Sequence, residues 1–128
     1  MKNHFFENEY VEYWIEDGVV MECFKPELVK INIEIAQKVV RDRLKYVTKG
    51  TRMPLFVDTN KALYMDKESR EYFAGTESLS DIKISALLIQ NPIALLAAKM
   101  FLVINKPKVR FKFFLDKMKA LEWLRQYR

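Results

Sequence analysis

The chain has 128 residues, half of them apolar and 13% aromatic, which is enough for one domain around one core and excludes a disordered chain. The net charge of +5 is unevenly spread, with six acids against one base in residues 1–24 and nine bases against two acids in residues 99–128. That asymmetry fits complementary faces meeting within the fold or in a dimer, or an acidic partner such as nucleic acid or a membrane surface.

Taken in chain order, Tyr10 to Glu16 and Val19 to Phe24 alternate with period two around Asp17-Gly18, the signature of a hairpin with a type I′ turn. Pairing around that turn sets Glu16 opposite Val19, Trp14 opposite Met21 and Val11 opposite Phe24. Neither face of the hairpin is plainly polar, so both are expected to be covered in part. Residues 32–47 read as a helix capped by Asn32, with Ile35, Ala36, Val39, Val40, Leu44 and Val47 in one stripe and Gly50 as its stop. Pro54 to Asp58 is a short buried strand, and Asp66 then caps a helix carrying Tyr72 and Phe73. Ile84 to Ile89 is a second buried strand. Asn91-Pro92 opens a helix from Ile93 to Ile104 that is apolar almost all round and is therefore expected to be buried on more than one side. Val109, Phe111 and Phe113 alternate with Arg110 and Lys112 in a half-exposed edge strand, and Asp116 caps a last helix with Ala120, Leu121, Trp123, Leu124 and Tyr127 on its apolar face. Strands alternating with helices predict right-handed crossovers and a mainly parallel sheet, with no linker dividing residues 1–128.

The usual constellations of enzymes are missing. Three glycines, Gly18, Gly50 and Gly75, write neither a dinucleotide fingerprint nor a P-loop, and one histidine, His4, makes no triad or metal cluster. Cys23 falls mid-strand as a small hydrophobe, has no second cysteine to bridge to, and fits a reducing compartment. Met1 to Tyr10 lacks the apolar run of a signal peptide, and Ser85 to Ile104 is broken by Gln90, Asn91, Pro92 and Lys99, so no membrane span is expected. The expectation is a non-enzymatic, cytoplasmic domain without cofactor or metal. One place where a ligand or partner could sit is the rim beyond the strand carboxyl ends, where Asp58, Asp66, Lys67 and Ser69 are the residues that caps and turns explain least well as a group.

The element order and the phrases "YWIEDGVVMECF", "VDTNKALYMDKESREYFA", "SALLIQNPIALLAAKMFLVINKPKVRFKFF" and "ALEWLRQY" resemble an uncharacterised bacterial family of the STAS (sulphate transporter and anti-sigma-factor antagonist) superfamily, also called SpoIIAA-like. The resemblance spans about Tyr10 to Tyr127. It implies an α/β fold of the SpoIIAA-like β–α superhelix type: a mixed, mainly parallel five-stranded sheet, an N-terminal hairpin and about four helices, largely on one side. Residues 1–9 are expected to be loosely ordered. Regulatory members of that superfamily carry a phosphorylatable serine in an Asp-Ser-Ser-Gly-like motif. Here Asp66 matches the aspartate, Lys67 occupies the acceptor position, the glycine is missing, and Ser69 is expected on the surface of the first turn.

These readings lead to a binding or regulatory domain acting through protein contacts. The alternative is a binder of a small anion or lipid headgroup at the helix rim, and weak nucleic-acid binding by the basic C-terminal segment comes third. A homodimer is expected, closed through the hairpin face that carries Trp14, Val19 and Met21.

Overall fold

The computed structural model describes residues 3–128; Met1 and Lys2, the start of the segment expected to be loosely ordered, lie outside the described residues. Strands β2 (Val11–Glu16) and β3 (Val19–Phe24) form the hairpin in the expected register, with Glu16 opposite Val19, Trp14 opposite Met21 and Val11 opposite Phe24. Asp17 and Gly18 both take positive φ, 54° and 77°, as a type I′ turn requires. A strand not foreseen, β1 (Asn3–Glu7), pairs antiparallel with β2, so among the described residues the sheet has six strands and not five. Its sequence, NHFFE, is too short and too mixed to show period two.

The rest of the chain alternates strand and helix. A two-residue strand β4 (Lys30–Ile31) leads into α1 (Ile33–Asp42), where the Asn32 side chain accepts from the Ile35 N–H at 2.9 Å. A π-helical stretch, Arg43–Thr48, prolongs α1 until Lys49 and Gly50 turn left-handed, with φ of 53° and 85°. Then come β5 (Met53–Asp58), β6 (Tyr64–Met65), α2 (Lys67–Phe73), the single turn α3 (Thr76–Leu79), β7 (Ile82–Leu88), α4 (Pro92–Asn105), β8 (Arg110–Phe114) and α5 (Lys117–Arg125). The main sheet runs β1-β2-β3-β5-β7-β8, antiparallel over its first two pairings and parallel over the rest, with β8 at the edge; β4 and β6 pair apart from it.

Both sides of this sheet are packed, against the expectation of helices largely on one side. Val11, Tyr13, Val20, Leu55 and Val57 meet α1 through Ala36 and Val39. On the other side Trp14, Val19, Met21, Phe56, Ile84, Ala86 and Leu88 meet Ala120 and Leu124 of α5. The hairpin without a polar face is thus explained within one chain. Trp14 is only 7% exposed, and Val19 and Met21 less, so these three are core residues under α5 and not a free face for a second copy.

The acidic and basic ends also meet within the chain. Asp17 pairs with Arg125 at 3.1 Å and with Arg128, joining the hairpin turn to the end of α5. These pairs are half-exposed, so they orient more than they stabilise.

Candidate functional site

The feature that departs most from its sequence is α4. Its mean composition is that of a buried helix, yet none of its residues is buried. Asn91 caps it, accepting from the N–H groups of Ile93 and Ala94, and Pro92 opens it. Lys106, left-handed at φ 44°, closes it. Between these fixed ends the helix stands off the sheet and touches it chiefly toward β8, where the rings of Phe101 and Phe111 lie 6.4 Å apart. The expectation that α4 is buried on more than one side is therefore corrected, because the space a close-packed helix would fill remains open.

That space is a cavity of about 870 Å³ on the α1 side of the sheet. Leu55, Val57, Leu87, Phe111 and Phe113 form its sheet wall, and Ala94, Ala97, Ala98, Phe101 and Ile104 its α4 wall. Phe73 of α2 closes a third side, and exposed Lys67 and Glu71 with Arg70 line the α2 edge. Ser85 and Asn105 are the polar residues deeper along β7 and at the end of α4.

Glu22 and Arg43 line the remaining part and belong to a buried ion cluster. The Arg43 guanidinium forks onto Asp81, with Nε and Nη2 each 3.0 Å from a carboxylate oxygen, and its Nη1 donates to Glu22 at 3.0 Å. Nη2 also donates to the Ser78 carbonyl, and the Thr48 hydroxyl donates to Asp81 at 2.7 Å. Burial pushes the Glu22 carboxyl up, with Arg43 opposing. Tyr13, which donates to the Val39 carbonyl, is held well above the usual phenol range by burial and by Glu22. With two carboxylates on one guanidinium, this cluster offers no spare positive charge to an anion.

The rim residues expected to act together do not. Val57 faces the cavity, so strand alternation turns Asp58 to the α5 side, in register with Cys23 and Leu88. Its carboxylate accepts from the Asn60 N–H at 3.0 Å, an ordinary turn contact. Asp66 caps α2, accepting from the Ser69 N–H at 2.9 Å, and hydrogen bonding with Ser69, by its side chain first and its backbone N–H second, holds the carboxyl below the usual range. Ser69 is fully buried and its hydroxyl donates to the Ile31 carbonyl at 3.4 Å, so it is not the surface residue expected. Of these four, Lys67 is the one with no hydrogen bond or ion pair among the described residues, and it stands at the cavity edge. A shallower hollow beside Asn32, Asp66 and Arg70 finds those side chains already engaged, Asn32 and Asp66 as caps and Arg70 on the Met65 carbonyl.

Burial pushes the Cys23 thiol up to about 12, which fits a packed residue and not a nucleophile. Arg110 and Lys112 lie against the α5 aromatics: Arg110 sits over Trp123 and Tyr127 and donates to the Tyr127 hydroxyl, and Lys112 sits over Trp123. Among the described residues no group of His, Cys, Asp and Glu gathers to hold a metal ion, and no helix is long and apolar enough to cross a membrane. Sequence reading missed the cavity because it arises from α4 failing to close on the sheet, which no residue pattern records.

A family model described as a domain of unknown function (DUF7793) matches residues 13–128. Among solved structures, the chain is similar to an uncharacterized protein of the DUF3478 family with a SpoIIAA-like fold from Shewanella loihica PV-4. The two share 16% identity with a TM-score of 0.56, over 94% of this chain and 90% of that one, so the SpoIIAA-like fold is shared. No curated protein matches.

Proposed function

The chain belongs to the family described as a domain of unknown function (DUF7793), and we propose that it is a non-catalytic binding domain whose cavity under α4 takes up a lipophilic chain. The observation that carries this reading is the cavity itself: about 870 Å³, within the usual range of ligand sites, walled by aliphatic and aromatic side chains. Lys67 at the α2 edge suits the polar end of an amphiphile. This favours a lipid over a free anion, because the helix-rim side chains are spent on caps.

A saturable rise in the emission of cis-parinaric acid, a fluorescent fatty acid, tests the proposal on the full chain. Ala98→Trp, which fills the cavity from the α4 side, is expected to weaken binding at least tenfold while leaving the melting temperature close to that of the parent. Binding that is absent in the parent, or unchanged in Ala98→Trp, overturns the reading.

A second reading rests on the outer side of the same helix. Leu96 is 67% and Val103 62% exposed, neither lines the cavity, and their spacing of seven places them on one stripe. Such a stripe fits a protein contact, with a second copy as the simplest occupant, and makes α4 the place where ligand binding and partner binding would meet. A regulatory role would follow from that coupling.

A further inference from the structure

Ser85 lies on β7 in register with Leu55 on one side and Phe111 on the other, a row of apolar side chains facing the cavity. It is 1% exposed, and its hydroxyl has no hydrogen-bond partner among the described residues. At the end of α4, on the same cavity, the Asn105 side-chain oxygen is also buried without a partner. A buried hydroxyl or amide left unpaired costs stability, so an apolar residue at either place would suit the unliganded fold better. Of the other buried polar side chains on this cavity, Glu22 and Arg43 hold each other and the Thr59 hydroxyl donates to the Leu88 carbonyl. Two unpaired groups, one able to donate and one to accept, therefore lie on a cavity whose neighbouring walls, Leu55, Leu87, Phe111 and Phe113 on the sheet and Phe101 and Ile104 on α4, are carbon.

We propose that the ligand of this cavity is an oxygenated amphiphile, with a hydroxyl or carbonyl within its chain received by Ser85 and Asn105. This rests on the cavity being a lipid site and specifies which lipids it selects. A hydroxyl can satisfy either group, accepting from Ser85 Oγ or donating to Asn105 Oδ1, whereas a carbonyl can only accept, from Ser85. A plain alkyl chain would fill the space and leave both groups desolvated and unpaired. Discrimination by unpaired polar groups exceeds what a purely apolar wall gives.

Competition against cis-parinaric acid compares stearic acid with hydroxystearic acids that differ only in the position of the hydroxyl. The parent protein is expected to bind one positional isomer about tenfold more tightly than stearic acid, the value of one buried hydrogen bond made against one left unmade. Ser85→Ala is expected to abolish that preference, to bind stearic acid at least as well as the parent, and to melt no lower in the unliganded state. A merely structural serine would not move the ratio of the two affinities. If the parent binds stearic acid and every hydroxylated isomer equally, the selectivity inference falls and the lipid site stands; water alone then meets Ser85. If Ser85→Ala keeps the parent's preference, Ser85 is not the receiver and the inference falls as well. If no chain binds, both readings fall together.

Discussion

Arg43→Leu is expected to remove about 3–5 kcal/mol of stability, the range for breaking a buried ion pair by deleting one partner. Against a total of about 5–15 kcal/mol for a domain of this kind, the variant would unfold at low denaturant or fail to fold. The cause is what stays behind. Arg43 is 1% exposed, and its loss leaves Asp81 and Glu22 buried with no cation. Arg43→Lys keeps the charge and loses the fork onto Asp81, so its stability should fall between the two. Arg41→Ala, which breaks an exposed pair with Glu77, should stay within about 0.5 kcal/mol of the parent. Equilibrium denaturation of the four proteins checks the order, and an Arg43→Leu protein as stable as Arg41→Ala would show that the cluster contributes nothing.

The same cluster sets a pH dependence. Burial raises the Glu22 carboxyl above its unfolded value, so the folded state keeps this proton at pH values where the unfolded state has lost it. The Glu22 contribution to stability is therefore full below the unfolded carboxylate range and is lost as pH rises through the raised folded value. Glu22→Gln cannot ionise, still offers an oxygen to Arg43, and leaves one guanidinium facing one carboxylate. Its stability should lack that decline, and at alkaline pH it should be no less stable than the parent.

Local rules made much of the fold legible. The hairpin register was readable because Asp17-Gly18 fixes the turn, and every step from it alternates faces. The caps Asn32, Asp66, Asn91 and Asp116 were readable for the same reason: each accepts from an N–H two or three residues on. What was not legible depends on distant parts of the chain. Asp58 reads as a rim neighbour of Asp66, but one step of strand alternation sends it to the opposite side of the sheet. Ser69 reads as a surface residue of a first turn, until Ile31 of β4 comes to lie over it. The apolar composition of α4 announces burial, whereas the helix stands away from the sheet, and the cavity is the consequence. Ser85 carried no signal at all, since one serine in an apolar strand is common and only its neighbours make it unpartnered.

Trp14→Glu decides whether the hairpin face is core or interface. As a dimer face, its loss would leave a folded monomer. In the structure Trp14 packs beneath Ala120 and Leu124 with its indole N–H donating to Glu16 at 3.0 Å, so a glutamate there puts a charge under α5. Replacing a buried tryptophan by a small residue costs about 3–5 kcal/mol, and a buried charge adds to that. The expected outcome is loss of cooperative unfolding, not dissociation. Leu96→Glu on the outer stripe of α4 is the contrasting change: exposed already, it should alter stability by less than about 0.5 kcal/mol. Sedimentation equilibrium then separates the contacts. If copies associate through α4, the parent sediments as a dimer of the 15.3 kDa chain and Leu96→Glu as the monomer. A parent that is monomeric at micromolar concentration defeats self-association through either face, and a Trp14→Glu protein that folds stably would show that α5 does not cover the hairpin.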